Sequence, residues 1–289
     1  VRASVIVSTT VAVLFFLMWV LLSRSFLQIA TSTGKVVHRE YRETHSRKRS
    51  MDAALLGREF SHFTASPNYM LNCGLGTFLM PLCAIAVLWK GNELFAMLDA
   101  IFAEKTDSVL LLLCVVLCSF ASMNFMTAPS VSLEGKSLWL MQSLPVEPWR
   151  IFRAKIRMQL LLTGLPLLLC IVCMVVVYPI HSMQLLMLLL FAGSYVLFMA
   201  LVGLFFGIKM PTLTWTNEVV LIKQGAPVMI TLFGGFGYMV LLFVGFMLLP
   251  GWILGFCGYM SCYVGTNLFL SGWVYLWLRK KGVARFSAL

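Results

Sequence analysis

Charge is what this sequence lacks. Of its 289 residues only 11% are Asp, Glu, Lys or Arg, while 60% are hydrophobic, against about a quarter and about half in an ordinary soluble domain. The shortage is uneven. Seven stretches contain no charged residue at all: 3–23, 68–89, 108–128, 158–180, 184–208, 226–249 and 252–278. Each supplies the roughly 20 apolar residues that a helix needs to cross a hydrocarbon core about 30 Å thick. The length alone would suit one or two soluble domains, but this composition predicts an all-α polytopic membrane protein with seven transmembrane helices, a single domain over 1–289.

Other absences narrow the chemistry. Ion-coupled transporters place ionisable groups inside the membrane, where they are costly and normally functional, and these spans hold none. Backbone carbonyls at broken helices remain a route for sodium. H-E-x-x-H is missing, which removes the zinc-protease signature. The eight cysteines lie in apolar stretches and read as small hydrophobes. Cys170 and Cys173 form a CxxC without a second pair or a nearby His to complete a metal set. The letters GKS at 135–137 suggest a phosphate loop, but a Walker motif needs a glycine five residues before Gly135, and Ser130 stands there. Gly34–Lys35 fails in the same way. We therefore assign no catalytic residue, cofactor or metal.

What charge there is lies in the connections. The net charge is +11, which in a soluble protein would suggest nucleic acid; its placement here argues against that partner. Lys and Arg are retained on the cytoplasmic side of membrane proteins. The connections 24–67, 129–157 and 209–225, with the carboxyl-terminal tail, hold 19 of the 22 basic residues. The opposite side keeps Arg2, Lys90 and Lys105 beside Glu93, Asp99, Glu104 and Asp107. Seven crossings with the amino terminus outside and the carboxyl terminus inside satisfy this distribution. Reading 3–23 as a cleaved signal peptide would put the basic segment 24–67 outside, and its apolar run is longer than a signal core.

The polar connections differ in kind. "GKVVHREYRETHSRKRS" (34–50) is a charge run suited to anionic headgroups. In "MDAALLGREFSHFTASPNYMLN", Leu56, Phe60 and Phe63 recur at helical spacing, with Arg58, Glu59 and His62 turned away. This predicts an amphipathic helix in the inner interface that Pro67 ends. "ELFAMLDAIFAE" repeats the device outside, with Leu94, Leu98 and Ile101 as its stripe. Within the spans, Gly203–Gly207, Gly251–Gly255 and the cluster Gly234, Gly235 and Gly237 are close-packing signals. Pro166 and Pro227 are candidate kinks.

Three segments resemble the permease subunits of bacterial ATP-binding-cassette exporters of the type-2 kind. They are "REFSHFTASPNYMLNCGLG" (58–76), "SLEGKSLWLMQSLPVEPWRIFRAK" (132–155) and "PTLTWTNEVVLIKQ" (211–224). The second is similar to a signature of the form S-x-E-G-K, Trp, S-L-P and a later Lys; the third to a W-T-N-E…K-Q segment. The resemblance implies an export channel in the cell membrane built from two permease bundles, this chain and a second copy or homologue, among membrane lipids. A separate cytoplasmic ATPase would drive it. Carried over by residue, Glu134, Gly135, Lys136 and Trp139 would form a coupling segment toward that ATPase. Trp215, Thr216, Asn217, Glu218, Lys223 and Gln224 would form a second. The bland alternative is that Glu134–Lys136 and Glu218–Lys223 only tie the inner ends of the bundle together. Such permeases often have more spans than seven, and with Val at its start the chain is expected to be a carboxyl-terminal portion. The rival readings are a seven-span receptor, whose D-R-Y and N-P-x-x-Y motifs are missing, and a membrane scaffold.

Overall fold

Helices form at every uncharged stretch, because a backbone surrounded by apolar side chains must satisfy its own hydrogen bonds. The computed structural model of the chain describes residues 2–31, 50–102, 107–248 and 251–289, with the side chains of all but 2–7, 25–31, 136 and 251–254. The charge run 34–49 lies outside the described residues. The chain divides into two units, Val1–Lys48 and Arg49–Leu289. In the first, α1 (Arg2–Thr31) is one unbroken helix, with large apolar side chains exposed from Val11 to Leu22.

The second unit holds α2 (Met51–Ala65), α3 (Pro67–Cys73), α4 (Leu75–Ile101), α5 (Asp107–Ser122), α6 (Leu138–Ser143), α7 (Pro148–Val177), α8 (Ser182–Lys209), α9 (Glu218–Gln224), α10 (Ala226–Leu248), α11 (Gly251–Trp277) and α12 (Val283–Ser287). A short 3₁₀ turn, Ser132–Ser137, precedes α6, and a π turn, Leu278–Gly282, follows α11. Among the described residues there is no strand, only one isolated bridge between Gly74 and Asn124. The fold is all-α. Helix α8 packs on α7, α10 and α11, α4 packs on α7, and α5 packs on α10.

Among the described residues, four helices are long and apolar enough to cross a membrane: Leu75–Ile101, Pro148–Val177, Ser182–Lys209 and the stretch Glu218–Leu248, which steps at Gly225 from α9 to α10. Helix α1, 30 residues long, is apolar over its described side chains, Ser8–Arg24, and α5 (Asp107–Ser122) is apolar but shorter. Helix α11 covers the expected seventh span, but Gly255 interrupts it with φ 57°.

Several expectations need correction. The second span, 68–89, is broken at Gly74, and its helix runs on to Ile101. The outer amphipathic segment is therefore the end of α4 and no separate surface helix. Its buried residues are Gly91 and Phe95, with Phe95 edge-on to Tyr178, whereas Leu94 and Ile101 are exposed. Helix α5 stops at Ser122, six residues short of the expected end of the third span. Helix α2 ends at Ala65 ahead of Pro67, as expected, and Pro67 also begins α3; Ser66 stands between them in extended backbone and accepts a hydrogen bond from the Tyr69 N–H. Pro227 sits in the first turn of α10, where its missing N–H costs nothing.

Residues 124–131 are buried, irregular backbone. Such a segment survives among apolar helices only when protein groups satisfy it. Gln159 on α7 does so from both ends of its amide: Nε2 donates to the Asn124 carbonyl at 2.8 Å, and Oε1 accepts from the Thr127 N–H and hydroxyl. Tyr69 Oη donates to the Met126 carbonyl, and the single Thr127 hydroxyl proton is shared between Gln159 Oε1 and the Ala200 carbonyl, 2.9 Å from Oγ1. The Gly203–Gly207 pair faces this segment and not another helix. A Cβ on Gly207 would lie 2.6 Å from the Ala128 carbonyl oxygen. Of the other glycine signals, Gly235 is tightly packed, against Met199, Ser122 and Tyr195, while Gly234, Gly237 and Gly255 face open space.

The connections sort into two groups. Gln142 Nε2 donates to the Phe286 carbonyl, Arg285 to the Lys209 carbonyl and Trp215 Nε1 to the Ser132 carbonyl. At 3.0 Å, Ser66 Oγ donates to Glu218. Described parts of 24–67, 129–157, 209–225 and the tail thus meet one another. Tyr178 and Asp99 meet in the other group, as do Gln184 and Asp107.

Candidate functional site

Where the basic connections meet, four charged side chains are locked together. Helix α2 is capped by Ser50 and buries Leu55, Glu59 and Phe63 against its surroundings. These residues recur every fourth position, so Glu59 lies in the middle of the buried stripe. The expectation that it turns away is corrected. What lets an acid stand there is Lys155 of α7, whose side chain is 1% exposed.

Lys155 Nζ donates to Glu59 Oε2 at 3.0 Å and to Glu134 Oε1 at 3.0 Å. The Ser130 carbonyl, at the end of the irregular segment, lies 3.4 Å away. Arg58 closes the group from the half-exposed side, with Nη2 at 2.6 Å from Glu134 Oε2 and Nη1 at 3.2 Å from Glu59 Oε1. Two acids and two bases cancel. Burial pushes the Glu134 carboxyl up, but Lys155 and Arg58 beside it outweigh that and hold it at about 2. Buried carboxylates with this many charge-assisted donors stay ionised.

The turn carrying Glu134 answers the question posed by GKS. Gly135 adopts φ 49°, a left-handed conformation that glycine alone takes without strain. A Cβ there would also lie 2.9 Å from Trp215 Nε1. The glycine thus serves a sharp turn under an indole and wraps no phosphate. The indole in turn donates to the Ser132 carbonyl at 2.8 Å.

The predicted residues divide accordingly. Glu134, Gly135 and Trp215 belong to the locked block. Glu218, which also begins α9, accepts from Ser66, and Asn217 caps α9 by accepting the Val219 N–H at 2.9 Å. Trp139 is 65% exposed, and Thr216, Lys223 and Gln224 are exposed. The Lys136 side chain lies outside the described residues. Arg58 and Glu59 were expected on the polar face of α2, and Lys155 only as the last residue of the second segment, with no site role for any of them; the site depends on all three. Lys155 gives no local signal, since only tertiary contact makes it differ from its arginine neighbours.

A second charged group lies on the same helices. Asp52 of α2 faces Arg150 at 3.6 Å and Arg153 and Arg157 at 3.8 Å each. All four side chains are more than a third exposed.

Comparison with known proteins adds a family. A model described as "Membrane protein of 12 TMs" matches residues 2–277. No curated protein and no solved structure matches this chain.

Proposed function

The chain belongs to the family of membrane proteins of twelve spans, and on that premise we propose that it is the permease component of an ATP-driven exporter. In this reading residues 1–289 form one permease domain in the cell membrane, with the amino terminus outside and the carboxyl terminus inside. It lines the export pathway with a second copy or homologue. A separate cytoplasmic ATP-binding-cassette ATPase supplies the energy.

One observation carries the proposal. The three segments that resemble type-2 permeases are far apart in sequence, yet they meet in one block through Arg58–Glu134, Glu59–Lys155, Ser66–Glu218 and Trp215–Ser132. A block tied to α2, α7 and α9 together would transmit a push from a partner to several helices at once.

The geometry refines the roles. Glu134 acts inside the chain, as a clamp, so it is not the surface that a partner touches. The exposed residues are Trp139, Leu140 and Val220, and the third segment adds a groove of about 500 Å³ lined by Thr214, Trp215 and Asn217. An exposed Trp beside small apolar side chains is the usual anchor of a protein interface.

The test is affinity purification of the tagged chain from native membranes in mild detergent, followed by mass spectrometry. An ATPase with Walker motifs should co-purify and be lost with Trp139→Glu, while that variant stays monodisperse. An intact chain that brings down no ATPase removes the energy source and leaves the receptor or scaffold as the better reading.

A further inference from the structure

Helices α7, α8 and α11 line a pocket of about 520 Å³ with both basic and apolar side chains. Arg153 and Arg157 supply the positive charge, and Leu197, Leu201 and Leu268 supply apolar surface. Trp149 and Tyr275 flank it, edge-on with ring centroids 5.0 Å apart. Aromatic pairs of this kind mark the level of the headgroups in a membrane protein.

Two observations point to a missing ligand. First, among the described residues the charges do not balance: Arg150, Arg153 and Arg157 recur along one face of α7 and share the single carboxylate of Asp52 at 3.6–3.8 Å. Second, two polar atoms of pocket residues are buried with no partner, Arg153 Nε and Ser271 Oγ. Ser271 is only 4% exposed. A buried donor without an acceptor is costly and uncommon in a settled structure.

We infer that this pocket binds an anionic phospholipid of the surrounding leaflet, its phosphate between Arg153, Arg157 and Ser271 and an acyl chain along Leu197, Leu201 and Leu268. A phosphodiester offers several acceptor oxygens to the guanidinium groups and to the serine, and cancels the surplus charge. A zwitterionic lipid brings the same phosphate with a cation that three arginines repel. A free phosphate would satisfy the arginines and leave the apolar side chains uncovered. The bundle end also carries Arg279, Lys280 and Lys281 just beyond Tyr275, which draw anionic headgroups toward it. The site is independent of the exporter reading.

The experiment uses the full chain, purified in a neutral detergent and followed by thermal unfolding. Dioleoyl phosphatidylglycerol, dioleoyl phosphatidylcholine and inorganic phosphate are added in parallel. At saturation, phosphatidylglycerol should raise Tm by about 5 °C more than phosphatidylcholine, as expected for a ligand that binds only the folded state. Inorganic phosphate should do little. The double substitution R153Q/R157Q should abolish the difference. Gly272→Leu should abolish it as well, since Gly272 lines the pocket and a Cβ there meets nothing within 4 Å. That variant fills the cavity while every charge stays in place, so it decides the matter even if the arginine variant folds poorly. Equal shifts with the two lipids would overturn the inference. So would a full phosphatidylglycerol preference in Gly272→Leu, which would reduce the effect to surface charge, or an equal response to inorganic phosphate alone.

Discussion

Asp52 and Glu59 stand about two turns apart on α2, each facing basic residues of α7, and their surroundings are opposite. Around Glu59 the charges are sealed and balanced: two acids, two bases, contacts of 2.6–3.2 Å, and side chains of Glu59, Glu134 and Lys155 at most 4% exposed. Around Asp52 one acid meets three arginines at 3.6–3.8 Å, all in partial contact with solvent. The first group is complete and can only hold the chain together. The second is open and has positive charge to offer. Two clusters on the same pair of helices thus divide into a fastening and a binding surface.

The sharpest way to break this division is Lys155→Met. It strands two buried carboxylates beside a single half-exposed arginine, and removing one partner of a buried ion pair costs about 3–5 kcal/mol. Thermal unfolding in detergent should show a large loss. Adding Glu59→Leu should restore most of it, because the Arg58–Glu134 pair then stands alone and balanced. A loss in the double variant as deep as in the single one would mean that Lys155 matters for reasons other than charge.

Acid should act on the sealed cluster next. The Glu134 carboxyl is lowered in the fold, from 4.5 to about 2. Its contribution is therefore complete above about pH 4.5 and is lost as pH falls through about 2. By linkage this amounts to roughly 3 kcal/mol. Stability should be flat from pH 7 to 5 with respect to this group and fall below that, and Glu134→Gln should flatten the fall.

Gly207→Ala presses on the irregular segment that ends at Ser130 and so on the wall of the sealed cluster. Overpacking against backbone costs about 1–3 kcal/mol. Stability should drop by that amount, with the lipid preference unchanged.

The smallest effect belongs to the open cluster. Asp52→Asn removes contacts worth at most about 1 kcal/mol, as exposed pairs are. It should leave Tm in phosphatidylcholine nearly unchanged and enlarge the phosphatidylglycerol shift. A large intrinsic loss instead would make the two clusters alike.

Much of the architecture is legible in the sequence because it follows from one local property, the absence of charge over helical lengths. The grouping of the basic connections is legible for the same reason. Helix ends are not. The third span looks continuous to Ala128, and the partners that hold its backbone out of the helix are distant in sequence: Gln159, 35 residues beyond Asn124, and Tyr69, 57 before Met126. Glu59 was expected to turn away from the stripe of Leu56, Phe60 and Phe63; the buried stripe runs instead through Leu55, Glu59 and Phe63, and a charged residue in such a stripe asks for a partner. That Lys155 is the partner could not be seen, because Arg153 and Arg157 around it are equally basic and differ only in what they face. The segments at 58–76, 132–155 and 211–224 were singled out by resemblance alone, and their meeting in space is a property of the fold.

The sealed cluster also imposes an order in time. Glu59 and Glu134 are synthesised before Lys155, 96 and 21 residues ahead of it. At roughly 5–20 residues per second Glu134 precedes it by one to a few seconds and Glu59 by roughly 5–20 seconds, with Arg58 as the only cation of the cluster yet made. The block around Gly135 cannot close until the start of α7 has arrived, so the bundle is fastened late, after its first helices are already made.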